Sequence, residues 1–371
     1  MAIEPTYPDQ VLGCLLGGAL GNALGYARQQ ATTPESRLAV LQRSPESTAG
    51  LPFAEDTQLT LYTVDGLVDA LEWANDGVAA DETACLWLAY LRWLATQGEV
   101  PAPIAPSPPP RPIDRHAVLH ARRNPGSTSI SGLRTGEMGT RHRPVNQSAQ
   151  DAGAMSRSAP FGLVPRIPLG MVDKLTRDAA ALTHGHSAAR TAAVVFATLI
   201  HRIVVEFSPL SDAVDRAVEQ AGAAGDQDLA AALTRARELA GDPVANPGAV
   251  NAPAAPDIAV ELGSGYTATG ALALAVYAVL AAVPDEGAGT APGGVPGPVG
   301  ARDHARAALQ LAADIGSNPT TTGSLVGNLI GALYGIEAFP GEWLDRVEGA
   351  GVVRETASAL IGAIAGEKSR L

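Results

Sequence analysis

Residues 316–335 read GSNPTTTGSLVGNLIGALYG, and the rest of the chain is organised around them. Ser317 and Asn318 are residue types that cap a helix N-terminus, and Pro319 suits a first helical turn. Glycine then recurs at 323, 327, 331 and 335, every fourth residue, so the glycines share one face of a helix. Each costs roughly 1 kcal/mol of helix propensity against alanine. A chain keeps such a stripe where another backbone must come close, so the spacing predicts a central, buried helix over 323–335. The hydroxyls and amide of GSNPTTTG gather at its N-terminus, a place suited to an anion or polar ligand.

The chain has 371 residues, enough for one large core or two domains. Its net charge is −12, which disfavours nucleic acid and anionic membranes as partners. Aromatic residues make up 4 % and alanine and glycine abound, so the core is expected to be small-residue helices packed closely. Cys14 and Cys85 lie in apolar helical patterns and read as buried free thiols of a reducing compartment. The apolar run over 11–24 is too short to span a bilayer and carries no basic leader, so a cytoplasmic protein is expected. That run reads as a helix ending in the turn GNALGYARQQ. Residues 82–97 place Leu86, Tyr90 and Trp93 on one apolar helical face, which is core. Loops rich in proline or glycine are expected near 101–112, 241–256 and 284–300, the first as a solvated extended excursion. No fixed repeat appears and no long linker separates two cores. One nearly all-α domain over 1–371 is therefore expected, its oligomeric state left open.

Several ordered segments resemble the signatures of the ADP-ribosylglycohydrolase family, which includes the dinitrogenase reductase-activating glycohydrolases. GSNPTTTG is similar to the family's G-D-[ST]-D-[ST] run, with Asn318 and Thr320 at the aspartate positions and Thr321 of the family type. GNALG resembles G-D-A-L-G, and the family's following glutamate is Gln29 here. Ala54, Glu55, Asp56 and Thr57 stand where the family has T-D-D-T. Read alone, acids at the start of an apolar helix are usually caps that complement the helix dipole. RNPGSTSISGLRTG (123–136) resembles the family's R-x-P-G-x-T and L-R-x-G segments. DAGAMSRSAPFGL (151–163) resembles its G-N-G-(A/S)-x-M-R-x-x-P-x-G-L stretch, with Ala152 for the asparagine and Ser156 for the methionine. His184 matches a histidine that relatives place near the distal ribose, and Tyr266 matches an aromatic position. His184 and His186 are two residues apart, on different faces of a helix, which argues against a zinc pair.

The resemblance implies an all-α fold and hydrolysis of a glycosidic bond to ADP-ribose, with two Mg²⁺ ions orienting ribose hydroxyls and a water. It also implies a metal set at Gln29, Ala54, Glu55, Asp56, Asn318, Thr320 and Thr321. A nucleotide pocket would fall at Ser127, Thr128, Gly153, Ala154, Met155, Ser156, Arg157, His184 and Tyr266. The family supplies five carboxylates to its ions; here Glu55 and Asp56 are the two that remain. Two dications about 4 Å apart repel by roughly 16 kcal/mol at an effective dielectric of 20. Two carboxylates do not offset that while replacing the hydration shells, so no bound cofactor is expected. Three readings follow. The first is a metal-free pseudoenzyme that binds ADP-ribose, a related nucleotide or an ADP-ribosylated protein. The second is an active hydrolase using one Mg²⁺, or Glu55 and Asp56 as an acid/base pair. The third is an interaction protein with a relic pocket. An acid from elsewhere, such as Asp314, reaching the site would favour the second.

Overall fold

Two glycine-striped helices, packed antiparallel, form the axis of the structure. The computed structural model describes residues 5–32, 50–241, 257–283 and 298–366. Among these lie twelve helices of eight residues or more and no strand: α1 (Tyr7–Gln30), α2 (Glu55–Asn75), α3 (Glu82–Thr96), α4 (Ser127–Arg134), α5 (Leu169–Ala181), α6 (Ser187–Val204), α7 (Leu210–Ala223), α8 (Gln227–Gly241), α9 (Ala268–Ala281), α10 (Pro298–Asp314), α11 (Pro319–Tyr334) and α12 (Ala350–Ala365). Single helical turns join them, among them Gly153–Ser156 and Ala159–Gly162. The all-α expectation holds.

α11 is the helix read from 316–335, and it is buried along nearly its whole length. Asn318 caps it, Pro319 opens it, and Gly335 closes it with a φ of 71°, where a side chain would be strained. Its glycine face meets the stripe Gly13, Gly17, Gly21 and Gly25 of α1. A methyl group on Gly327 would stand 1.9 Å from the carbonyl oxygen of Gly17, and one on Gly21 would stand 1.9 Å from that of Gly323. A methyl on Gly25 would stand 2.0 Å from the oxygen of Pro319. The backbones therefore touch along the whole seam, which puts the C-terminal turn of α1 beside the first turn of α11. α2, α6, α9 and α10 pack around α11.

Some boundaries differ from the sequence reading. α1 does not stop at 24 but runs through GNALGYARQQ to Gln30. Its Thr6–Asp9 capping box starts it early, and the contact with α11 holds Gly21 and Gly25 in helical form. His184 lies before α6, and His186 is that helix's N-cap, so the two do not share a helix. The 101–112 loop is exposed at its middle, but its end is tied down. Arg111 pairs with Asp65, Asp69 and Glu72, which succeed one another on one face of α2. Of the other two expected loops, 242–256 and 284–297 lie outside the described residues; Gly241 ends α8, and 298–300 are already helical in α10. α6 is long and apolar enough to cross a membrane, yet 78 % of it is buried inside the protein.

Candidate ligand-binding cleft

At the α1–α11 seam a half-open cleft of about 420 Å³ lies where the C-terminus of α1 and the N-termini of α2, α4 and α11 converge. All seven positions of the implied metal set line it: Gln29 from α1, Ala54, Glu55 and Asp56 from the start of α2, and Asn318, Thr320 and Thr321 from the start of α11. Ser127 and Thr128 from α4, with Gly153 and Tyr266, line the opposite side. The fold thus gathers residues almost 300 positions apart. Ala154, Met155, Ser156, Arg157 and His184 do not line it; they are buried behind the 151–153 turn.

On the metal-set side the side chains bond to one another. Asn22, at a family aspartate position, accepts from the Ala54 N–H at 2.7 Å and donates to Asp56 Oδ2 at 3.1 Å. Asp56 Oδ2 also accepts from the Thr321 hydroxyl at 3.0 Å. The Thr320 hydroxyl donates to Gln29 Oε1 at 3.1 Å. Asn318 spends its oxygen as the cap of α11 and its amide on the Gly265 carbonyl, 3.1 Å away. Asp314, the acid that might have reached the site, pairs instead with Arg28.

Glu55 reaches across to the start of α4 and accepts from the Gly126 N–H, so a carboxylate of the protein occupies the anion position of that helix. Its other oxygen, Oε1, is buried with no hydrogen-bond partner among the described residues. Burial, and then the neighbouring Asp56, push the Glu55 carboxyl up to about 7, against the Ser129 hydroxyl and the Gly126 N–H. Burial also raises Asp56.

This donor set does not fit a pair of Mg²⁺ ions. Mg²⁺ demands near-octahedral oxygen coordination and is held through carboxylates. Here Gln29, Asn318 and Thr320 are committed to internal hydrogen bonds, and Ala54 offers no side-chain oxygen. Asp56 already accepts from two donors on one oxygen.

On the other side, Arg157 is turned inward. Its guanidinium lies 4.5 Å from the centroid of the Tyr90 ring, and its Nη2 donates to Thr183 Oγ1 at 2.5 Å. It therefore packs in the core and does not line the cleft, although its charge still favours the ionised forms of Glu55 and Asp56. His184 is fully buried, with Nδ1 2.7 Å from Thr183 Oγ1 and Nε2 2.7 Å from Asp151 Oδ1. Asp151 Oδ2 accepts from the Thr128 hydroxyl at 2.6 Å. Burial works against the Asp151 carboxylate, but the bonds from His184 and Thr128 outweigh it and hold that carboxyl well below its usual range.

Asp151 lines the cleft, as do Asn124, Gly126 and Ser129, and sequence reasoning named none of them as site residues. The available signal was the acid that opens DAGAMSRSAPFGL, where the family segment begins with glycine.

No curated protein matches the chain. A solved structure described as an ADP-ribosylglycohydrolase-related protein complex shares its fold at a TM-score of 0.59 and 22 % identity, over 95 % of this chain and 97 % of that one. The family model for ADP-ribosylglycohydrolase matches residues 3–370. With that match spanning nearly the whole sequence, the chain belongs to the ADP-ribosylglycohydrolase family.

Proposed function

We propose that this protein is a cytoplasmic, metal-independent member of its family that binds ADP-ribose or a related nucleotide, free or attached to a modified protein, with the ribosyl end in the cleft. The observation that carries the reading is the set of internal hydrogen bonds at and beside the metal-set positions: Asn22 to Asp56, Thr321 to Asp56, and Thr320 to Gln29. Polar groups that satisfy one another hold a cleft in shape without an ion, at the expense of the free lone pairs an ion needs. The hydroxyls of Ser127 and Thr128 and the half-exposed ring of Tyr266 supply the polar contacts and stacking surface a nucleoside uses. Two buried, unpaired thiols at Cys14 and Cys85 accord with a reducing compartment. Calorimetry with ADP-ribose, run in Mg²⁺ and again in EDTA, tests it. Equal binding in both, on the order of micromolar or weaker, is expected. No heat at millimolar ligand, or binding that EDTA abolishes, refutes it.

One observation favours a second reading, a metal-free hydrolase. Glu55 Oε1 is buried at the cleft without a partner, beside Asp56, as a proton donor awaiting a leaving group would be. Release of ADP-ribose from an ADP-ribosylated protein in EDTA, abolished by Glu55→Gln, would establish it. No release above the uncatalysed rate removes it.

A further inference from the structure

We infer that Asp151 is the specificity-determining residue of the cleft: its carboxylate takes the hydrogen of one ligand hydroxyl and so orients a ribosyl group inward, with any phosphates left towards solvent. This deepens the binding reading above and rests on it.

The carboxylate is fixed by its surroundings. An isolated bridge joins Asp151 to Thr267, with the Ala152 N–H donating to the Tyr266 carbonyl at 3.2 Å and the Ala268 N–H to that of Gln150 at 2.9 Å. These bonds set the acid and the Tyr266 ring on the same stretch of cleft wall. From behind, Oδ1 is held by the His184 ring at 2.7 Å and the Gly153 N–H at 3.3 Å, and Oδ2 by Thr128 at 2.6 Å. A carboxylate has about four acceptor positions, so one remains, on Oδ2, and the side chain is 44 % exposed to the cleft.

A chain of hydrogen bonds decides which way the protons point. Arg157 only donates, so Thr183 Oγ1 accepts from it and turns its own hydrogen to His184 Nδ1. The ring hydrogen then sits on Nε2 and points at Asp151. Burial, with a smaller push from the Arg157 charge, holds the imidazole below its ordinary value against the pull of Asp151, and the contacts of Asp151 are hydrogen-bond donors, with no Lys or Arg among them. What it offers the cleft is a bare acceptor.

The rest of the wall agrees. Its acidic side chains are Glu55, Asp56 and Asp151, and none of its lining residues is Lys, Arg or His. Three helix N-termini face the cleft, and each already has a partner from the protein: Glu55 sits on that of α4, Asn318 caps α11, and Glu55 and Asp56 stand in the first turn of α2. A phosphate seated against Asp151 meets like charge, whereas a hydroxyl meets an acceptor. A hydroxyl is the group such a wall selects.

The test uses the full chain, ADP-ribose, and the two analogues that each lack one terminal-ribose hydroxyl, compared by calorimetry on the wild type and Asp151→Ala. For wild type, one deoxy analogue is expected to bind about tenfold or more weakly than ADP-ribose, the loss of one charge-assisted hydrogen bond. In Asp151→Ala, ADP-ribose should fall to that same level and the deoxy penalty should vanish, a cancellation that a merely structural role would not produce. If Asp151→Ala does not fold, Asp151→Leu, which keeps much of the volume but offers no polar atom, should show the same loss of discrimination. Wild type that binds ADP-ribose, with deoxy penalties unchanged in the variants, overturns the role of Asp151 and leaves the binding reading standing. Wild type that does not bind ADP-ribose at all overturns both.

Discussion

Gly327→Ala probes the seam on which the cleft depends, and its outcome can be worked from the coordinates. The added methyl would stand 1.9 Å from the Gly17 carbonyl oxygen, 2.5 Å from its carbon and 3.0 Å from the Gly18 nitrogen. Ordinary contact begins near 3.4 Å, so α1 and α11 must part by about 1.5 Å or rotate. The obstructing atoms are backbone of a buried helix, which no rotamer change can move aside. Overpacking of this kind costs typically 1–3 kcal/mol and sometimes more, and rigid neighbours put this site at the upper end. Alanine regains about 1 kcal/mol of helix propensity, so a net loss of about 2 kcal/mol or more is expected. Gly351→Ala is the control: it lies in α12, exposed, and its added methyl would meet nothing within 4 Å. It should be neutral or gain up to about 1 kcal/mol. Urea denaturation followed by circular dichroism gives both values. If Gly327→Ala unfolds within 0.5 kcal/mol of the control, on the order of the noise between surface substitutions, the backbone seam is not what holds α1 to α11.

Two further outcomes follow from the cleft. Because burial raises the Glu55 carboxyl to about 7, the stability it contributes is present below its ordinary value near 4.5 and lost as pH rises through 7. Glu55→Gln, scanned by denaturation from pH 4 to 8, should match wild type near pH 4 and exceed it by on the order of 3 kcal/mol at pH 8; a difference that does not change with pH would refute this. Millimolar Mg²⁺ should leave the melting temperature unchanged, since the donor set at Gln29, Asn318 and Thr320 gives the folded state nothing to hold the ion with; a rise of several degrees reversed by EDTA would show that census wrong.

The fold was legible because backbone contact leaves a strong trace in sequence. Only glycine permits helices to approach this closely, and a four-residue period in 323–335 has few other uses. The partner stripe at Gly13, Gly17, Gly21 and Gly25 was equally visible, yet the sequence reading ended that helix at 24. Glycine and asparagine together look like a breaker until a second helix is there to stabilise them. Helical propensity is local, and the seam that overrides it joins residues some 300 positions apart.

The cleft was legible only in part, and the division has a physical cause. Asp56, Asn318, Thr320 and Thr321, all at helix N-termini, line one cleft, because the start of a helix fixes where its first side chains point. The turn at 151–158 offers no such guide. A residue there faces in or out according to a few dihedrals, and Arg157, which the resemblance put in the nucleotide pocket, lies over Tyr90 in the core. Asp151, six residues earlier, took the exposed place instead. The wall presents a carboxylate held by His184 and Thr128, while Arg157 is turned into the core. The retained match at Arg157 therefore speaks for packing, and the departure at 151 speaks for what the cleft binds. On the binding reading proposed above, position 151, where this sequence departs from the family segment it resembles, carries more information about the ligand than position 157, where it agrees.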